Sequence, residues 1–161
     1  MQGILSYVLV AGLAIALLIA AYTDLRTRRI HNWLNAGIAL AAPVFWWASG
    51  MGWTDIGWQV ALAIGTFAAL AVLFALRVMG GGDVKLLAVL ALWIKPLWFV
   101  KLLTIMAITG GILTVVVAFW HIARRQRDRI AVPYGIAIAI GGLCVLADHY
   151  WPAAHSGGLI G

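Results

Sequence analysis

Long runs of apolar residues separated by short clusters of Arg, Lys, Asp and Asn set the pattern of this chain. A run of about 20 apolar residues is what an α-helix needs to cross the hydrocarbon core of a bilayer. The breaks predict six helices, over about residues 4–22, 33–49, 58–76, 84–94, 98–120 and 132–148. The first run is free of charge and proline. A polar stretch from Asp24 to Asn32 follows it, and Asn32 reads as the N-cap of the next helix. Residues 50–57 read as a loop whose one charge is Asp55. Residues 84–123 must hold two crossings, and the break is placed at Lys95-Pro96 rather than at Gly110-Gly111. Proline disfavours helix at the residue before it, and Trp93, Lys95, Trp98 and Lys101 read as interfacial anchors. A glycine pair among apolar residues serves close helix packing instead. The fourth helix is therefore short, about half the hydrocarbon thickness at 1.5 Å per residue. Either Asp83, just before it, is recessed below the membrane surface, or the bilayer thins there.

Composition agrees with the pattern. Hydrophobic residues make up 65% of the chain and charged ones 10%, against roughly a quarter charged in soluble domains. The expected fold is an all-α integral membrane bundle of about six transmembrane helices, one domain over residues 1–161 with no separate soluble domain. The net charge of +6 does not point to nucleic acid, because the basic residues sit mainly in short loops, where they act as topology signals. With the loop after the first helix on the cytoplasmic side, alternation places Arg26, Arg28, Arg29, Arg77, Lys85, Arg124, Arg125, Arg127 and Arg129 inside. Only Lys95 and Lys101 remain outside, so nine of the eleven basic residues obey the rule. Both termini are then non-cytoplasmic, and the protein is expected to be a multi-pass protein of the inner (cytoplasmic) membrane in contact with its lipids. Trp46, Trp47, Trp53, Trp58, Trp93, Trp98 and Trp151 fall near the outer ends as an aromatic belt. The first run has no Lys or Arg before it and exceeds a signal-peptide core, so it reads as a retained helix. The single cysteine, Cys144, excludes an intrachain disulfide and a CxxC zinc site.

Against this background the segment Gly80-Gly81-Gly82-Asp83-Val84-Lys85 stands out. A carboxylate at the mouth of an apolar helix is costly unless it faces protein or a wet cavity, which makes it a functional hypothesis by default. The glycines before it let another backbone approach closely. All five acidic residues are Asp, and Asp24 lies at the end of the first apolar run, on the same membrane side as Asp83 by the alternation above. Two carboxylates brought together share one proton; the ionised one can deprotonate a water while the protonated one donates to a scissile carbonyl. That is peptide hydrolysis by aspartates in the bilayer, without metal, cofactor or nucleophilic side chain. The plainer reading gives Asp24 a helix-terminating role and makes Asp83 a cap of the fourth helix; the pair behind three glycines favours the chemical one. His31, His121, His149 and His155 are scattered over loops and opposite sides, so no metal site is expected, and Ser6, Ser49 and Ser156 lack a His and Asp on a shared face. Lys85 and the arginines read first as topology determinants, and Pro133-Tyr134-Gly135 as a helix entry.

These residues resemble a family. Tyr22-Thr23-Asp24-Leu25-Arg26, then Arg29-Ile30-His31-Asn32, then Gly80-Gly81-Gly82-Asp83-Val84-Lys85 are similar to the motifs of the type IV prepilin peptidases, which share a GxGD signature with other intramembrane aspartyl proteases. Pro133-Tyr134-Gly135 resembles the family's Pro-aromatic-Gly segment. The resemblance implies that Asp24 and Asp83 are catalytic, that Gly80, Gly81 and Gly82 form the active-site loop, and that Asn32, Lys85, Pro133, Tyr134 and Gly135 support the cleft. It implies a substrate too: a prepilin-like precursor, with a basic leader ahead of a hydrophobic helix, cut at the cytoplasmic face. The sequence departs from the pattern at His31, where the family often has proline, and at Ile136, where a second proline is frequent. Larger bifunctional relatives carry a cysteine-bearing cytoplasmic domain and methylate the new N-terminus; no such domain is expected here. The chain looks like the small form associated with tight-adherence, Flp-type pili, with archaeal preflagellin peptidases next. Two alternatives are kept: another GxGD protease, and a non-enzymatic transporter or assembly subunit whose aspartates bind protons or cations.

Overall fold

The computed structural model describes residues 2–123 and 134–156. Among them are six α-helices and no strand: α1 (Gln2–Thr27), α2 (Asn32–Ala48), α3 (Trp53–Ala75), α4 (Gly81–Leu90), α5 (Pro96–Ala123) and α6 (Tyr134–Ser156). α1, α3 and α5 contain stretches long and apolar enough to cross a membrane, Gly3–Thr27, Trp53–Ala75 and Pro96–Trp120, and α6 carries a shorter apolar stretch, Tyr134–Tyr150. With α2 they make a helical membrane bundle.

The bundle closes around its shortest member. α4 packs against α2, α3 and α6, while α1 packs on α2 and α6, and α6 on α5. Leu86, Leu87, Leu90 and Ala91 are fully buried, alongside Leu17 of α1, Leu102 of α5 and Ile138 of α6. Ten residues at 1.5 Å each give α4 about 15 Å, half the hydrocarbon thickness, so it is held by protein on several sides rather than by lipid. The far end of α4 is pinned by indoles. Trp93 Nε1 donates to the Ile38 carbonyl at 3.0 Å, Trp46 Nε1 donates to the Leu92 carbonyl at 2.7 Å, and the Phe45 and Trp93 rings stack at 4.8 Å. Trp93 is thus a buried core residue, not the interfacial anchor its neighbours suggest. Outward positions such as Ile64, Val115 and Phe119 remain exposed on the bundle's flanks, as expected of lipid-facing surface.

The chain turns at Lys95-Pro96, with Pro96 opening α5 where its missing N–H costs nothing. Gly110 and Gly111 lie inside α5; a Cβ on Gly110 would come within 3.1 Å of the Tyr134 ring, whereas Gly111 has open space. Other boundaries differ from the sequence expectation. α1 continues to Thr27, so Asp24 lies within its last turns, and the Thr23 and Thr27 hydroxyls donate back to the Ala20 and Thr23 carbonyls there. α3 starts at Trp53, which turns the expected loop around Asp55 into a first helical turn. α4 starts at Gly81 and so contains Asp83. The N-cap of α2 is His31, without a side-chain hydrogen bond; Asn32 is the first helical residue and is occupied elsewhere.

Candidate active site

Four helix ends meet on one side of the bundle: the end of α1, the start of α2, the end of α3 and the start of α4, with the start of α6 beside them. Asp24 and Asp83 lie here, 7% and 9% exposed. Both line a cavity of about 990 Å³ together with Arg28, Phe74, Arg77 and Tyr134. Both also line a smaller one of about 410 Å³, whose other walls are Arg28, Ile30, His31, Asn32 and the Gly80 to Gly82 backbone. The two carboxyl groups are near enough to act on each other electrostatically.

A glycine lies against each carboxyl. The Gly135 N–H, at the start of α6, donates to Asp24 Oδ2 at 2.8 Å in a buried bond. A Cβ at Gly135 would lie 2.8 Å from both Asp24 Cβ and Oδ2, so only glycine fits. Asp83 is the third residue of α4, and its carboxyl folds back over Gly80, the N-cap, where an added Cβ would lie 2.9 Å from Oδ2. This is the placement of one half of a capping box, so the geometry fits the plain capping role of Asp83 in part. It does not account for the second carboxylate in the same cavity. Gly81 and Gly82 let the loop lie against its neighbours: a Cβ would come within 3.1 Å of Phe74 Cε2 at the first and of Ile30 Cβ at the second.

The remaining candidates spread around this centre. Asn32 lines the smaller cavity, and its Oδ1 accepts from Lys85 Nζ at 3.0 Å, tying the start of α2 to α4. Tyr134 lines the larger cavity with its ring against Gly110. Pro133 lies outside the described residues, as does the basic loop from Arg124 to Arg129. Two cavity residues are ones the sequence offers first as topology determinants. Arg28 lies within electrostatic reach of Asp24, and Arg77 lines the same cavity; both take left-handed backbone angles, φ 55° and 58°. Left-handed arginine is strained, and nothing in residue type or spacing announces it. A further cavity of about 510 Å³ at the opposite end, lined by Gln59, Lys95, Trp98 and His149 among others, holds neither carboxylate.

A helical bundle with two buried aspartates in one cavity defines a membrane protein built around a carboxylate pair. A family model described as the type IV leader peptidase family matches residues 11–115, more than half of the chain and a span that includes both aspartates, and the chain belongs to that family. No curated protein and no solved structure gives a match. The protein is accordingly a leader-peptidase-type protease of the membrane.

Proposed function

We propose that the protein is an aspartyl endopeptidase that removes the basic leader from type IV, Flp-like prepilins at the cytoplasmic face of the inner membrane. The observation that carries this reading is the shared cavity of Asp24 and Asp83, two aspartates far apart in sequence, in a chain of the leader peptidase family. One carboxylate, ionised, takes a proton from a water; the other, protonated, donates to the scissile carbonyl as the water attacks. The Gly135 N–H fixes the orientation of the Asp24 carboxyl without adding charge, and Gly80 leaves room for the Asp83 carboxyl to fold back over it. The basic residues support this sidedness: Arg26, Arg28, Arg29, Arg77 and Lys85 sit at the aspartate end, and Lys95 and Lys101 in the segment that starts α5 at the other.

The test is co-expression with a precursor bearing a basic leader, read as precursor against mature mass. Asp24→Asn and Asp83→Asn each abolish processing while the protein still accumulates in the membrane, and the double variant is no worse than either, as for residues acting as a unit. Asp55→Asn, an exposed position in the first turn of α3, stays active. Substantial cleavage by either single Asn variant would refute the dyad.

A further inference from the structure

α2 and α3 both pack on α4 rather than broadly on each other, and the short helix between them forms the floor of a groove of about 330 Å³ on the flank of the bundle. Asn35, Ala36 and Ala39 line it from α2, Phe67 from α3, and Ala88 and Val89 from α4. Three alanines in this set let a visiting chain approach closely. Asn35 is the anomaly in this apolar wall. It is 5% exposed, yet neither its Oδ1 nor its Nδ2 has a hydrogen-bond partner. An unpaired carboxamide away from water is costly, and at membrane depth its partners must come from protein.

The groove adjoins the carboxylate site. Asn32 lines both the groove and the smaller of the two aspartate cavities, and Lys85 joins it at that junction through its 3.0 Å bond. Asn35 lies three residues, about 4.5 Å, further along α2 than Asn32, and so deeper from the end where the aspartates lie. A carboxamide offers an acceptor and donors side by side, the complement of one peptide group. A substrate opened for hydrolysis has such groups: where a helix unwinds near the scissile bond, its N–H and C=O lose their helical partners and need replacements inside the protein.

We propose that this groove seats the apolar segment of the precursor immediately beyond the scissile bond, with the Asn35 carboxamide pairing with a peptide group freed by unwinding. The proposal rests on the leader peptidase reading with Asp24 and Asp83 as the reacting pair. The polar leader then stays at the water-facing end, and the apolar segment leaves toward lipid between α2 and α3.

The experiment uses the full chain in proteoliposomes with a prepilin precursor bearing a basic leader and an apolar helix. A benzophenone amino acid at Ala39, in an Asp83→Asn background that retains substrate, cross-links on illumination to the apolar segment of the precursor; the same probe at Ala118, on the α5 wall of the larger aspartate cavity, does not capture that segment. In the active enzyme, Asn35→Leu raises KM about tenfold with kcat retained, and its melting temperature does not fall because the unpaired amide is gone. Cross-linking of the apolar segment from Ala118 but not Ala39, an unchanged KM, or a loss of kcat with a lowered melting temperature overturns the groove while wild-type cleavage leaves the peptidase reading standing. Absence of cleavage by the wild-type protein overturns both.

Discussion

Gly135 is the residue on which the site's geometry is most exacting, since an added methyl would fall 2.8 Å from Asp24. Gly135→Ala must push that carboxyl aside, and a displacement near 1 Å at reacting groups costs on the order of 100-fold in rate. Processing should fall by about that factor with the protein still present in the membrane, measured as the initial rate of mature product. Gly82→Ala meets Ile30 Cβ at 3.1 Å, a clash that a few tenths of an ångström relieves, so its loss is milder. Gly111→Ala meets nothing and adds helix propensity, about 0.8–1 kcal/mol in a helix interior, and should leave the rate unchanged. At this scale the sequence points to Asp24 and Asp83 because charge among apolar runs is conspicuous. It does not reveal that Gly135 feeds a hydrogen bond to Asp24, since that contact spans 111 positions and exists only once α6 lies against α1. Pro133-Tyr134-Gly135 reads locally as an ordinary helix entry for the same reason.

The ends of α1 and α3 shape the site as much as any side chain. α3 closes with Leu76 as C-cap, Arg77 at φ 58°, and the Val78 N–H reaching back to the Leu73 carbonyl at 3.0 Å, the bonding of a Schellman motif. Glycine is the usual occupant of the position Arg77 holds. Arg77→Gly should therefore stabilise the protein by up to about 1 kcal/mol, the left-handed penalty less the entropy glycine brings to the unfolded chain, checked by denaturant titration in detergent. α4 depends on its indole clamps. Trp93→Phe keeps a ring against Phe45 and loses the bond to Ile38, a cost of about 1 kcal/mol; Trp93→Ala opens a cavity costing about 3–5 kcal/mol and should lower the amount of protein in the membrane, read by blot. The break at Lys95-Pro96 was legible because proline limits the residue before it. The end of α1 and the start of α3 were not, because Thr23 and Thr27 satisfy their hydroxyls within the helix and a Gly52 N-cap starts α3 ahead of polar residues that otherwise signal a loop.

For the whole molecule, apolar runs and their polar breaks were enough to fix class and helix order, since both follow from backbone satisfaction in lipid. Which helix occupies the centre was hidden: α4 has an unremarkable pattern, and its burial on several sides comes from tertiary packing alone. Sidedness remains a sharp prediction. In a Cys144→Ala background, cysteines at Arg29 and Val78 should react with an impermeant maleimide only in inverted vesicles, and cysteines at Gly50 and Lys95 only in intact spheroplasts. The reverse pattern would place the aspartates on the outer face and remove the proposed access to a cytoplasmic leader.

The bond from Gly135 to Asp24 also imposes an order on biogenesis. By the time the ribosome has made residues 11–115, the nascent chain holds both carboxylates and the whole segment that the family model matches. It still lacks the N–H that orients Asp24, because that group belongs to α6, which is made after the other five described helices. Under the proposed dyad, competence is thus coupled to the arrival of α6: a product that stops short of Tyr134 carries both carboxyls without this alignment and is expected to leave a co-expressed precursor uncut.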